Sequence, residues 1–126
     1  MQTSFRKKAI VLSLMLLATN PAWADWVNTD STDDAAHYMD PATVRKDGDL
    51  RSAWTLQDYK ERQRGGEMSA RGRMEFDCKS KRFRVLSVIS YSGPMGTGKI
   101  LGMTGKSTSW SDDASDLVDL EIVCSQ

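Results

Sequence analysis

Apolar and polar residues alternate along the middle of the chain, and a period of two is typical of a β-strand with one buried face. The alternation is clearest over residues 71–78. One face carries Met74, Phe76 and Cys78, and the other carries the charged residues Arg71, Arg73, Glu75 and Asp77. We therefore predict a strand that packs through its Met-Phe-Cys face.

Two further strands are predicted upstream of it. Residues 50–59 alternate in the same way, and the Asp-Gly-Asp sequence at 47–49 predicts a hairpin turn before them. Residues 37–40 predict a short strand that ends at Pro41, because proline cannot donate a hydrogen bond to a central ladder. The Asp-rich residues that follow Trp26 and Val27 predict a loop.

Residues 83–91 are apolar on both faces, which predicts a central strand covered on its second side. In this interpretation Phe83, Val85, Ile89 and Tyr91 share one face, opposite Leu86 and Val88. We expect a C-terminal helix as the cover, capped by Ser111 or Asp112 and docked through Leu117, Leu120 and Cys124. Between them, residues 92–108 contain five glycines and predict a long loop around one edge strand.

The first 24 residues have the three parts of a bacterial export signal. Arg6, Lys7 and Lys8 precede an apolar run over residues 9–18, and Ala22-Trp23-Ala24 matches a small-x-small cleavage site. The run is too short for a membrane-spanning helix. We expect cleavage before Asp25, leaving one small exported domain over residues 25–126. The cleavage site has no lipoprotein cysteine, so no lipid anchor is expected.

Charge is balanced overall but unevenly distributed. The chain has 17 basic and 17 acidic residues, and loss of the three bases in the signal leaves 14 against 17, a net charge of −3. This balance argues against a nucleic-acid binder. Nine bases and four acids lie within residues 60–84, whereas residues 25–40 have five acids and no Lys or Arg. Such blocks are either solvated faces or a basic ridge for an acidic or sulfated partner.

Cys78 and Cys124 are the only cysteines of the chain. In an oxidising compartment they favour a single disulfide that would tie the C-terminal helix to the strand ending at Cys78. The alternatives are a redox pair or a metal site. Redox chemistry prefers a C-x-x-C spacing, and a metal needs more ligands than two sulfurs and the distant His37.

Several apparent catalytic or ligand motifs are incomplete. Residues 93–99 match the spacing of a phosphate-binding loop, but Ile100 follows where Ser or Thr would hold magnesium. The sole histidine, His37, has no triad around it, and the paired acids do not form a calcium loop. Trp54 and Trp110 are interpreted as core residues. We expect no enzyme, no metal and no cofactor.

The order of residues resembles the surface-adhesin protein E family over nearly all of residues 26–124. The first half of the match contains Trp26-Val27, residues 37–40, Thr43-Val44, the Gly48 turn and residues 54–59; the second contains Ser69, Asp77-Cys78, residues 82–84, Tyr91, Trp110 and Cys124. The most distinctive pieces are W-x-L-x-D-Y, D-C-x-x-x-R and the terminal V-C. The resemblance implies an α+β fold, a mainly antiparallel sheet of about six strands with one C-terminal helix held by the disulfide.

The resemblance also implies a function. Some members are lipid-anchored surface proteins that bind host matrix proteins, vitronectin and laminin among them, and plasminogen. We therefore expect an exported, non-enzymatic binding module in the periplasm or at the cell surface, with a protein partner, and a homodimer left open. The candidate binding residues are those of the basic ridge: Lys60, Arg62, Arg64, Lys79, Lys81, Arg82 and Arg84. The alternative is a periplasmic envelope protein that engages a bacterial protein through an unpaired sheet edge.

Overall fold

A six-stranded antiparallel sheet makes up most of the structure, a computed structural model that describes residues 25–112 and 118–126. The strands lie side by side in the order of the sequence. They are β1 Val27–Ser31, β2 Ala35–Asp47, β3 Leu50–Tyr59, β4 Ser69–Asp77, β5 Arg82–Tyr91 and β6 Ile100–Thr104. A 3-10 turn, Pro94–Gly96, precedes β6, and helix α1 spans Val118–Cys124. The predicted fold class is confirmed, whereas the predicted signal peptide lies outside the described residues.

Strand β2 is longer than predicted and continues through Pro41. The register with β3 shifts between Asp40 and Arg45, so the proline lies in a bulge, where no ladder donor is needed. At this bulge the Thr43 hydroxyl replaces a backbone carbonyl as the acceptor for β3, because the Trp54 N–H donates a hydrogen bond to it at 2.9 Å. The predicted end of the strand at Pro41 is therefore wrong, and so is the predicted loop after Val27, which is β1.

A bulge in β5 overturns the predicted faces of that strand. Arg73 pairs with Ser87 while the adjacent Met74 pairs with Val85, so Leu86 is an extra residue. Phe83 and Val85 therefore lie on the helix side of the sheet, and Ile89 and Tyr91 lie on the other side, opposite Arg71 and Ser69. Strand β5 is also next to the edge strand β6 rather than at the centre.

Helix α1 packs on the strands β1 to β4 and closes the core. The core consists of Met39, Ala53 and Phe76 from the sheet and Leu120 and Val123 from the helix. Cys78, just beyond β4, forms the predicted disulfide with Cys124, with their Cα atoms 5.7 Å apart. The bridge therefore holds the helix against the end of β4.

The described segment before the helix pairs with strand β5. The backbone N–H and C=O of Ser111 both pair with Phe83 of β5. The predicted cap at Ser111 or Asp112 stays a prediction, because the residues that it would cap, 113–117, lie outside the described residues. Thr108 binds the same strand through Val85. This segment therefore continues along the outer edge of β5 where β6 ends. The predicted Leu117 contact lies outside the described residues.

Candidate functional site

Strand β4 separates the seven candidate binding residues into two groups. Three lie in the loop between β3 and β4, and we call them the loop cluster: Lys60, Arg62 and Arg64. Four lie in or after the turn between β4 and β5, and we call them the turn cluster: Lys79, Lys81, Arg82 and Arg84. The loops lie at opposite ends of a nine-residue strand, roughly 25–30 Å apart. The structure does not bring the seven residues together in one ridge.

The two arginines of the turn cluster are held by neighbouring side chains. Arg82 forms an ion pair with Asp77 at 3.2 Å, and Arg84 forms one with Glu75 at 2.6 Å. Both guanidinium groups also stack on the ring of Trp110, at 4.7 Å and 4.5 Å from its centre. Both guanidinium groups therefore already interact with a carboxylate and an aromatic ring of the same domain.

The Asp77 carboxylate organises the turn itself. It accepts hydrogen bonds from the backbone N–H groups of Lys79 and Ser80, both at 3.1 Å. The Ser80 N–H, together with the Arg82 guanidinium, holds the pKa of Asp77 below its ordinary value, although burial acts in the opposite direction. Lys79 and Lys81 remain exposed, and Lys81 has a positive φ of 53°.

The loop cluster lines a wide polar groove of about 890 Å³ between the β1–β2 and β3–β4 connections. Its three cations are exposed and form no ion pair within the described residues. Arg62 shapes the loop, because its Nη1 donates to the carbonyls of Gly66 and Ser92 at 2.8 Å and 3.0 Å. Lys60 and Arg64 form no side-chain hydrogen bond in this part of the chain, so their ammonium and guanidinium groups face solvent.

Acidic side chains share the groove with the loop cluster. Asp33 and Asp34 line it from the β1–β2 turn, and Glu61 lines it from the loop itself. The backbone N–H of Lys60 donates to the Asp34 carbonyl at 2.9 Å, which joins the two connections. The groove therefore presents separated charges of both signs to a partner. The sequence showed these blocks of charge, but not that the first acidic block faces the basic loop.

An apolar cavity of about 300 Å³ lies on the helix side of the sheet. Met74, Phe83, Val85 and Val88 line its apolar part, and His37 and Asp119 contribute polar groups. Burial raises the pKa of Asp119, although a hydrogen bond from Thr29 and the nearby His37 act against this shift. Sequence reasoning missed this cavity, because the Leu86 bulge brings Val88 onto the same face as Val85.

The tryptophans predicted as core residues are only half-buried. Trp110 covers Arg82 and Arg84, and Trp54 lies beneath Arg71, whose guanidinium carbon is 4.7 Å from the ring centre. The aromatic rings therefore pack against arginines more than against the core. The helix-free face of the sheet therefore carries arginine-covered aromatic rings beside buried residues such as Leu56 and Tyr91.

The remaining sequence motifs form ordinary backbone structure. Residues 93–99 make a tight turn, in which the Gly93 N–H donates to the Thr97 carbonyl at 2.9 Å, and β6 follows instead of a phosphate-loop helix. Among residues 25–112 and 118–126, no group of three or more His, Cys, Asp or Glu side chains could hold a metal ion. The helices of these same ranges are too short or too polar to cross a membrane.

Comparisons with known proteins agree with this architecture. The family model described as surface-adhesin protein E matches residues 26–125. Crystal form II of Haemophilus influenzae protein E is similar to the chain with a TM-score of 0.56 at 14% identity, covering 79% of this chain and 96% of that one. Its selenomethionine form gives a TM-score of 0.55 at 14% identity, covering 78% and 91%. No curated protein sequence is significantly similar to the chain.

Proposed function

The chain belongs to the surface-adhesin protein E family, and we propose that it is an exported, non-enzymatic binding module for a protein of the host extracellular matrix, such as laminin or vitronectin. The loop cluster is the proposed contact. Family membership supports binding of a protein partner, and the charge distribution supports the choice of surface. The choice among matrix proteins follows from the resemblance noted in the sequence.

One observation carries the choice of the loop cluster. Its cations are exposed, project from a hydrogen-bonded loop and have no ion pair within the described residues. The arginines of the turn cluster instead form ion pairs with Asp77 and Glu75 and stack on Trp110. Unpaired surface charges increase the rate of association with an oppositely charged partner, and their effect weakens as salt rises.

The test measures binding of the purified protein to immobilised laminin and vitronectin by biolayer interferometry at low and high salt. Lys60→Glu/Arg64→Glu reverses the two cations that make no side-chain hydrogen bonds and leaves Arg62 in place to hold the loop. We expect the dissociation constant at low salt to rise at least about tenfold, mainly through slower association. The difference should shrink at high salt.

Two matched variants change net charge by the same amount elsewhere. Lys79→Glu/Lys81→Glu reverses the free cations of the turn cluster, and Lys99→Glu/Lys106→Glu reverses exposed cations that flank β6. We expect both to bind within about threefold of the unmodified protein. Equal losses in all three variants would mean that only net charge matters. Absence of binding to either matrix protein at any salt would overturn the proposed partner class.

The exposed edge strand β6 favours a second candidate function, engagement of a bacterial envelope protein by strand addition. Ile100, Leu101 and Met103 are 56%, 44% and 71% exposed, and only one edge of β6 pairs with β5. A strand with one unpaired edge and exposed apolar side chains is a template for a further strand. A second copy of the chain would fit there as well as a different protein.

Sedimentation velocity separates these partners. If β6 pairs with a second copy, the unmodified protein should dimerise with rising concentration, and Met103→Lys should remain monomeric. If β6 serves a different protein, both should remain monomeric, and Met103→Lys should abolish a crosslink to that protein in whole cells. If neither dimer nor crosslink depends on Met103, the edge has no binding role.

A further inference from the structure

Three arginines surround Trp54 on the face of the sheet opposite α1. Arg73 is the cross-strand partner of Trp54, and Arg71 is the partner of the next residue on the same face, Leu56. On the other side, Arg45 pairs with Ser52, two residues before Trp54. Because side chains two residues apart share a face of a strand, all three arginines project on the helix-free side.

The bulge of β2 opens a small pocket beside the Trp54 ring, which we call the Trp54 pocket. Its volume is about 190 Å³. The pocket is lined by Thr43, Arg45, Ser52, Ala53, Trp54 and Arg73. Pockets for drug-sized ligands usually measure 300–1,000 Å³, so this one suits a smaller group such as a single sugar unit.

The donors of the Trp54 pocket are available to a ligand. Arg45 Nη1 donates to the carbonyls of Ala42 at 3.4 Å and Val44 at 3.2 Å, which anchors the guanidinium but leaves its other N–H groups. Arg73 is exposed and forms no ion pair in the described part of the chain. The Ser52 hydroxyl likewise has no hydrogen-bond partner among these residues.

The pocket lies in a positive field. Arg71 stacks over the rings of Trp54 and Trp26, at 4.7 Å and 5.8 Å, and its buried Nε has no hydrogen-bond partner within the described residues. The acids nearby offset only part of this charge. The carboxylate of Asp40 is buried and accepts a hydrogen bond from the Ala42 N–H. The carboxylate of Glu75 forms an ion pair with Arg84. An anionic group in the pocket therefore meets two arginines that form no ion pair within the described residues, Arg45 and Arg73, while Arg71 lies over the adjoining Trp54 ring.

We propose that the Trp54 pocket binds a sulfated sugar unit of a matrix glycan. A sulfate group has three terminal oxygens, which can accept from Arg45, Arg73 and the Ser52 hydroxyl at the same time. Guanidinium groups bind oxyanions through paired N–H donors, and these charge-assisted hydrogen bonds are strong. Arg71 lies over the Trp54 ring, but Trp54 also lines the pocket, so its apolar atoms there can pack against the C–H groups of a sugar ring.

This inference deepens the proposed function by naming a partner chemistry, and it uses residues outside the loop cluster. The test is calorimetric titration of the purified protein with a heparin tetrasaccharide. A hyaluronan tetrasaccharide, which has carboxylates but no sulfate, and neutral maltotetraose serve as comparison ligands. We expect heparin to bind at least tenfold more tightly than hyaluronan, and maltotetraose to show no binding.

Arg45→Gln and Arg73→Gln test the two guanidinium groups, and Lys106→Gln, at an exposed cation outside the pocket and outside the loop cluster, is the control. Each pocket variant should weaken heparin binding at least tenfold, whereas the control should stay within twofold. The pocket variants should keep laminin binding, so failure of this proposal is distinguishable from failure of the proposed function. Equal weakening in all three variants, equal affinity for hyaluronan, or absence of heparin binding would overturn the assignment.

Discussion

The guanidinium of Arg84 lies 4.5 Å from the centre of the Trp110 ring. The same guanidinium is ion-paired with Glu75 on the neighbouring strand. A residue from the basic stretch of the sequence is thus part of the fold. Charge in a sequence therefore does not identify binding residues until its intramolecular partners are known.

The stability of the domain should depend on Arg84 but not on Lys81. Arg84→Gln removes the ion pair and the stacking on Trp110, and we expect the free energy of unfolding to fall by about 1–2 kcal/mol. Lys81→Gln removes an exposed cation that has no ion pair in the described residues, and its effect should stay within about 0.5 kcal/mol. Urea unfolding of both variants measures the difference. Equal losses would contradict the assigned role of Arg84.

Removal of the disulfide should destabilise the domain strongly. The bridge joins residues 46 apart, and closing a loop of that length stabilises by about 2–4 kcal/mol. We expect Cys78→Ser/Cys124→Ser to lower the melting temperature by at least about 10 °C. The unmodified protein under reducing conditions is the control and should melt with the variant. An unchanged melting temperature would show that the core holds α1 without the bridge.

The β2–β3 turn should require glycine at position 48. Gly48 has φ +58°, and an added Cβ would meet nothing within 4 Å, so strain alone decides the outcome. Gly48→Ala should reduce the free energy of unfolding by about 1–2 kcal/mol. Gly102→Ala is the matched control, because its surroundings are equally open and its φ is not positive. Similar effects in the two variants would contradict the assigned turn.

Acid should weaken the contribution of Asp77 to stability. Its pKa is lower in the folded protein than in the unfolded chain, so folding favours the ionised carboxylate. This stabilisation is therefore present when the pH is above the ordinary pKa of Asp. It is lost as the pH falls through that pKa towards the lower pKa of Asp77 in the folded protein. Asp77→Asn should be less stable than the unmodified protein at pH 7, and the gap should narrow below about pH 5. A gap that stays constant between pH 7 and pH 3 in chemical denaturation would contradict this account.

Local patterns were sufficient to predict much of the fold. The alternation of residues 50–59 and 71–78 predicted the strands β3 and β4. The Asp-Gly-Asp sequence predicted the hairpin turn before β3, and the cysteine pair predicted the disulfide that holds the helix. The bulges at Pro41 and Leu86 could not be predicted, because a bulge depends on hydrogen bonds to the neighbouring strand. Each bulge changes which side chains share a face.

The candidate site was less predictable for the same reason. Lys60 and Lys81 lie 21 positions apart in a single basic stretch, yet β4 places them at opposite ends of the sheet. Trp110 contacts Arg84, although the two residues lie in distant parts of the sequence, and no periodic pattern in the sequence predicts this contact. The Trp54 pocket likewise depends on the β2 bulge.

Amide hydrogen exchange of the protein with and without laminin tests the central claim most directly. The account predicts slower exchange in residues 60–66 and in the facing turn at 32–35 when laminin is bound, with residues 100–104 unchanged. Protection confined to residues 100–104, or no protection anywhere at saturating laminin, would contradict binding through the loop cluster.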